Sequence, residues 1–281
     1  MLPAMIQQGK CVNVTLKVGI AGFGTIGAVV AARLHEGLPG LTLAAICSGR
    51  QDVAEARARD LGLAVPIVSP ADLAERCDII VECAPTAAFM AIAEPALAAG
   101  RILVTVSGAA ILDHPEITDR ARDGGGQIIL ATGALLGLDA VRAAAEGQIH
   151  SVRMVTRKPP RSLRTAKHVV ENGIALDSLS EPLLLFRGTA REGARAFPSN
   201  VNVAAALGLA GIGADRTELE IWADPTKTRN THRIDVESNS ARLGLEIENI
   251  PTDENPGTGR ITALSMIAAL RGITTPLRVG T

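Results

Sequence analysis

The chain has 281 residues, 28 Lys and Arg against 29 Asp and Glu, and a hydrophobic fraction of 47%. That is material for two domains. The near-neutral balance and an aromatic content of 2%, with no tyrosine, exclude the basic and stacking surfaces that bind nucleic acid, and no apolar run reaches the roughly 18 residues a spanning helix needs.

Residues 1–15 lack the apolar centre of a signal peptide and are expected to form an N-terminal extension. Cys11, Cys47, Cys77 and Cys83 show no C-x-x-C spacing and no histidine clusters. Reduced thiols in a cytoplasmic protein are therefore expected, with no metal.

In KVGIAGFGTIG (17–27) a short apolar strand runs into Gly22-x-Gly24-x-x-Gly27, and a helical stretch follows. Glycines in that order between strand and helix mark a dinucleotide site. Gly22 permits the tight turn, Gly24 lets the backbone approach a pyrophosphate, and Gly27 lets helix and strand pack closely. The N–H groups of Thr25, Ile26 and Gly27 at the helix start suit phosphate. No acid follows about 20 residues later, where one would hold a ribose hydroxyl. The second strand (41–47) ends instead in Ser48-Gly49-Arg50. A hydroxyl and a guanidinium suit a 2′-phosphate, so the cofactor is expected to be NADP or NAD, with use of both.

Strand and helix signals continue to alternate: helix 25–36, helix 52–62, a short strand at 65–68, and a helix from Pro70 capped by Ser69. Strand 77–85, helix 86–99, strand 101–108, a helix near 113–123 and strand 127–133 follow. The fold class is α/β, a doubly wound parallel sheet of the Rossmann type over residues 16–135. From about residue 136 the pattern changes. Helix 137–147 and strand 150–160 lead to a loop and helix over 185–198 and an apolar helix over 200–213. Segments 218–225, 231–239 and 243–251 alternate like strands with one wet face. A second α/β domain with an open mixed sheet is expected over 136–255. Residues 256–281 are expected to hold a last helix, about 258–271, with a return to the nucleotide domain as one possible course.

Period-two alternation puts Asn230, His232, Ile234 and Val236 on one strand face. Asn and His among apolar neighbours need partners, and either a satisfied core or a catalytic pair fits. Asn200 and Asn202 offer a helix cap and an amide for a ligand. Arg157, Lys158, Lys227 and Arg229 are cations for substrate carboxylates or, individually, exposed loop charges.

Six segments together resemble the L-aspartate dehydrogenase family: GFGTIG (22–27), ATGALLGLDA (131–140), TRKPPRSL (156–163), FPSNVNVAAALGLA (197–210), ADPTKTRNTHRI (223–234) and NPGTG (255–259). The D-P-x-x-x-x-N-x-H block is the most specific of them. The resemblance implies reversible NAD(P)-dependent oxidative deamination of L-aspartate to oxaloacetate and ammonia through iminosuccinate, possibly feeding NAD biosynthesis, by a homodimer. By position it makes His232 the active-site histidine, handling protons and favouring the dicarboxylate in its charged form. It sets Asn230 beside the substrate, and Ala134 and Asn202 at the nicotinamide end of the cofactor. Gly257 stands where a basic residue is expected. The alternatives are a homoserine dehydrogenase-like or dihydrodipicolinate reductase-like enzyme, which the D-P block disfavours, and a non-catalytic nucleotide-binding sensor.

Overall fold

The computed structural model describes residues 15–198 and 201–280. Cys11, the expected N-terminal extension up to residue 14, and Asn200 lie outside the described residues. In chain order the first elements are β1 (Leu16–Ala21), α1 (Thr25–Glu36), β2 (Leu41–Cys47), α2 (Gln51–Asp60), α3 (Pro70–Arg76), β3 (Ile79–Glu82), α4 (Phe89–Ala98), β4 (Ile102–Thr105), α5 (Gly108–Asp113), α6 (Ile117–Gly124) and β5 (Gln127–Leu130). Then come α7 (Leu138–Ala145), β6 (Ile149–Lys158), α8 (Lys167–Glu171), β7 (Leu183–Thr189), α9 (Ala190–Ala196), α10 (Asn202–Ala210), β8 (Thr217–Ala223), β9 (Asn230–Ser238), β10 (Arg242–Asn249) and α11 (Ile261–Thr274).

The chain divides into two compact units. The first holds the described residues up to Thr105 together with Pro115–Ile129 and Ile267–Pro276. Its sheet has the order β2-β1-β3-β4-β5, and β1 runs parallel to both β2 and β3. Val18, Ile20, Ile79, Ile80 and Val81 are all buried. Helices cover both faces of such a sheet, so its central strands are continuously apolar instead of alternating. Chain order reverses between β1 and β3, and open α/β sheets bind ligands in the crevice at the carboxyl ends of the strands at that point. The expected strand at 65–68 contracts to a single bridge, Ile46 with Ile67, because Pro66 has no N–H to extend a ladder. The helix expected near 113–123 is α6, which starts only after His114-Pro115, where the residue before proline is driven out of the helical region; an additional short helix, α5, precedes it, and β4 is shorter than the expected strand 101–108. The expected cap holds: the Ser69 hydroxyl accepts the Asp72 N–H at 3.2 Å, and Pro70 opens α3.

The second unit comprises Val106–His114, Leu130–Met266 and Leu277 onward. Its sheet is mixed, in the order β10-β9-β6-β8-β7. β6 pairs antiparallel with β9 and parallel with β8. One face is apolar: Met154, Leu219, Ile221, Ile234 and Val236 form one core with Ala204, Ala205 and Leu207 of α10. The opposite face carries Arg153, Glu220 and Arg187 as ion pairs, so the alternation read over 218–251 is a real two-sided sheet. Segment 185–198 departs from expectation, since its first residues finish β7 before α9 begins. A capping box between Thr189 and Glu192 makes the switch. The short run Leu183–Phe186 has no alternation to announce a strand; pairing with β8 decides it. Among the described residues, no helix is long and apolar enough to cross a membrane.

Candidate active site

The glycine loop lies at the switch point between β1 and β3. Gly22 has φ +93°, and a Cβ there would come within 2.5 Å of the Ala84 nitrogen. A Cβ at Gly27 would overlap the Gly22 carbonyl oxygen. These two glycines serve the fold of the loop itself. Gly24 is different: a Cβ there meets nothing within 4 Å, so the protein's own packing gives no reason for glycine. Thr25, Ile26 and Gly27 form the first turn of α1, which has no acidic residue and no side-chain cap. A loop with open space over Gly24 and an uncapped, acid-free helix start fits a dinucleotide pyrophosphate.

Ser48 follows β2 directly. Its hydroxyl accepts the Arg50 N–H at 3.3 Å, folding the turn before α2. Arg50 is exposed, and among the described residues no carboxylate pairs with its guanidinium. Arg57, one face further along α2, donates to the Phe23 carbonyl inside the glycine loop at 3.4 Å. Glu82 was not signalled as functional by its apolar strand. It is completely buried, accepting the Thr105 hydroxyl at 2.6 Å and the Ala84 N–H at 2.8 Å. Its only sequence signal was an acid at the end of a strand otherwise made of Ile and Val.

In the second unit, β9 and β6 bring four polar side chains onto the apolar sheet face. Thr156 lies directly across from His232, and its hydroxyl is 3.0 Å from the imidazole Nδ1. Two residues further on β6, on the same face, is Lys158; two residues back on β9 is Asn230. All four are buried, Lys158 at 3% exposure and Asn230 and His232 at 2%. Asn230 Nδ2 donates to the Pro256 carbonyl at 3.1 Å, which fixes the amide's orientation. Its Oδ1 is buried and finds no donor. An acceptor left unmade in a protein interior costs about 1–3 kcal/mol, so this oxygen stands ready for a donor from elsewhere.

The electrostatics change one expectation. Burial, with a smaller push from the Lys158 ammonium, lowers the His232 imidazole to about 3. It is therefore neutral near pH 7 and does not supply the positive charge expected of it. Burial alone pushes the Lys158 ammonium down to about 8. Lys158 is thus no exposed loop cation: it ends β6 inside the core face. The other expected cations are engaged. Arg157 pairs with Asp224 at 3.2 Å and lies over the Trp222 ring, and Lys227 and Arg229 share Glu248. Burial opposes the charge of Asp224, but hydrogen bonds from Thr226 and Arg157 outweigh it and hold the carboxyl below its usual range. The aspartate of the D-P block therefore shapes the turn into β9 and does not join the polar face.

Pro256 leads to a cavity. Its carbonyl also accepts the Ser162 hydroxyl at 3.2 Å, and it lines a space of about 410 Å³ with Arg161, Thr165, Lys167, Asn255 and Gly257. Among the described residues no carboxylate pairs with Arg161. Gly257, where a cation was expected, lines this same space, so Arg161 and Lys167 provide its positive charge. The remaining expected residues belong to the second unit. The Ala134 carbonyl accepts Asn249 Nδ2 at 2.7 Å, and Asn249 pairs across strands with Asn230. Asn202 opens α10 and its Oδ1 accepts the Ala109 N–H at 3.1 Å. Among the described residues, no three His, Cys, Asp or Glu side chains gather as a metal site.

Comparison with known proteins agrees with both halves. The family model described as homoserine dehydrogenase, NAD binding domain, matches residues 22–131, and that described as aspartate dehydrogenase, C-terminal, matches 139–273. The chain is 55% identical to L-aspartate dehydrogenase of Bradyrhizobium diazoefficiens, covering 98% of each chain. It is 51% identical to L-aspartate dehydrogenase 3 of Bordetella bronchiseptica, covering 95% of this chain and 98% of that one. The crystal structure of aspartate dehydrogenase from Thermotoga maritima superposes with a TM-score of 0.71 at 23% identity, over 94% of this chain and 99% of that one, a likeness of fold. With the second half matched as well as the first, the homoserine dehydrogenase-like and dihydrodipicolinate reductase-like alternatives fall away, and the chain belongs to the L-aspartate dehydrogenase family.

Proposed function

We propose that this enzyme catalyses the reversible NAD(P)-dependent oxidative deamination of L-aspartate to oxaloacetate and ammonia through iminosuccinate. The observation that carries the reading is the buried Asn230–His232 face beside a cationic cavity, in a chain of this family. Gly22, Gly24, Thr25, Ile26 and Gly27 would hold the pyrophosphate; Ala134 and Asn202 would meet the nicotinamide end. A bound nicotinamide supplies the hydride acceptor. The protein's part is to orient the substrate. Arg161 and Lys167 hold a carboxylate of the four-carbon dicarboxylate, and Asn230 Oδ1 accepts a hydrogen bond from the α-amino group. His232, fixed by Thr156, presents its other ring nitrogen to the reacting end. The substrate's carboxylates favour a charged imidazole and raise its pKa in the complex.

Ser48 and Arg50, with no acid after β2, support use of NADP as well as NAD. Homodimer assembly rests on the family resemblance, and sedimentation showing only monomer would remove it. Cys47, Cys77 and Cys83 are free thiols, and burial raises all three, Cys77 to about 11. Thiols held in the protonated form are poorly reactive and suit a cytoplasmic enzyme.

The test is oxidation of NADH and NADPH with oxaloacetate and ammonium, omitting each in turn. Oxidation that requires both substrates is the expected result. Oxidation without ammonium would make the protein a ketone reductase. Nucleotide binding with no turnover would make it a silent sensor.

A further inference from the structure

We propose that Glu82 is a positioning residue of the cofactor site: its carboxyl holds the turn Cys83–Pro85 in the shape that receives the nicotinamide half of the dinucleotide. The inference rests on the binding of a nicotinamide dinucleotide in the reading above, and not on which amino acid is oxidised. Strand order sets the side of the glycine loop on which each half lies. The residues after β2 face the adenosine end. β2 borders β1 on one side, and β3 borders it on the other with β4 beyond. From a pyrophosphate at the glycine loop, the nicotinamide half therefore runs over the carboxyl ends of β3 and β4. Glu82 ends β3 and Thr105 ends β4, and the two are paired in register.

Every other residue of β3 is Ile or Val, and Glu82 is completely buried. A fourth apolar side chain would complete this strand. The acid does what an apolar residue could not, which is to reach past the end of the ladder. Cys83 N–H still bonds along the sheet, to the Ala21 carbonyl at 2.9 Å. The next peptide leaves the sheet, and its Ala84 N–H donates to Glu82 Oε1 at 2.8 Å. The other oxygen, Oε2, accepts the Thr105 hydroxyl at 2.6 Å. A carboxyl held at both oxygens has one orientation, and the turn that bonds to it inherits that orientation.

The turn in turn packs on the cofactor loop. A Cβ on Gly22 would lie 2.5 Å from the Ala84 nitrogen and 2.6 Å from the Cys83 carbonyl oxygen. The Cys83 thiol donates to the Gly22 carbonyl at 3.2 Å. The glycine loop has a second anchor on β2, where Gly22 N–H donates to the Cys47 carbonyl at 2.9 Å. Loss of the Glu82 carboxyl would therefore release the turn and leave the pyrophosphate loop seated. Pro85 is exposed at the end of the turn, so a ligand can reach it.

The experiment titrates the full-length protein with NADH and NADPH, and with ADP-ribose and its 2′-phosphate, which lack nicotinamide. The proteins are the wild type, Glu82→Ala and Glu82→Gln. Glu82→Ala should bind the reduced dinucleotides about tenfold more weakly and the ADP-ribose pair within about twofold of wild type. Glu82→Gln should restore dinucleotide binding to within about threefold, because its amide oxygen accepts from Ala84 and its NH2 group donates to the Thr105 hydroxyl. A residue that only stabilised the fold would move both kinds of ligand alike or neither. Equal losses for both kinds, no loss for either, or a Glu82→Gln protein as weak as Glu82→Ala overturns the proposal. Should Glu82→Ala not fold, Thr105→Val and Thr105→Ser decide. Dinucleotide binding weakened roughly threefold or more in the first and kept in the second supports the role; equal affinity in the two overturns it. A wild type that binds neither NADH nor NADPH overturns the cofactor reading and this role together. These titrations do not involve aspartate, so failure of the substrate reading shows separately, as a wild type that binds dinucleotide and does not oxidise aspartate.

Discussion

In the parallel sheet, the groups that would meet a ligand are backbone groups at strand ends; in the mixed sheet they are side chains on one face. Gly22, Gly24 and Gly27 contribute by lacking a side chain, at a place where the chain order reverses and a crevice opens. Thr156, Lys158, Asn230 and His232 contribute by carrying polar atoms into a core of Leu, Ile and Ala. The first kind of site costs the fold little. The second sets charge and hydrogen-bonding groups where water is absent, and leaves Asn230 Oδ1 without a donor. Stability and chemistry are thus nearly separable in one sheet and opposed in the other.

The largest effect expected from this contrast is at His232. His232→Ala should lower kcat by roughly 10²–10⁴-fold while nucleotide affinity, read by NADPH fluorescence, stays within about twofold. Near-normal turnover would take His232 out of the mechanism. Within the glycine loop, Gly27→Ala and Gly24→Ala should part company. The first meets the Gly22 carbonyl and should lower stability by about 1–3 kcal/mol in urea titration. The second meets open space, so it should leave stability within about 0.5 kcal/mol and weaken dinucleotide binding alone. Equal losses of stability would break the distinction between fold glycines and ligand glycine.

Smaller effects sharpen the picture. Arg161→Ala removes a charged hydrogen-bond donor from the cavity. A loss of about 1.5–3 kcal/mol should raise the KM for aspartate roughly 10–100-fold, with little change in kcat; an unchanged KM would move the carboxylate site elsewhere. Arg50→Ala should cut the preference for NADP over NAD by about tenfold, read as the ratio of kcat/KM values. A last effect is expected on acid stability. His232 has its folded pKa depressed from 6.5 to about 3. The unfolded chain therefore takes up the proton first, and stability falls as pH drops from about 6.5 toward 3, with no contribution above that window. His232→Asn should flatten the difference in that window when both proteins are titrated with denaturant; parallel curves would mean the imidazole is not held neutral.

Much of this was legible in residues. The order of apolar strand, three glycines and helix fixed the loop, and Ser69-Pro70 marked the start of α3. Alternation in 231–239 placed Asn230 and His232 on one face, as β9 shows. Other features were not legible. β7 has no period-two pattern to read, and Pro66 reduced an expected strand to one bridge. Lys158 falls inside the expected strand 150–160, but beside two prolines it looked like an exposed cation, because which face of that strand is covered is not written in its neighbours. Glu82 read as a strand end, and its bond to Thr105 joins residues from different strands.

The sequence by itself determined the local elements, the nucleotide loop and the family, because glycine conformation, strand alternation and motif spacing are properties of neighbouring residues. The tertiary structure decided the charge states and the partners. Lys158 meets Asn230 and His232 only through the pairing of β6 with β9, and the imidazole is neutral only because that pairing buries it beside an ammonium. Burial and cross-strand register depend on residues more than 70 positions apart in the chain, and such distances leave no trace in local pattern.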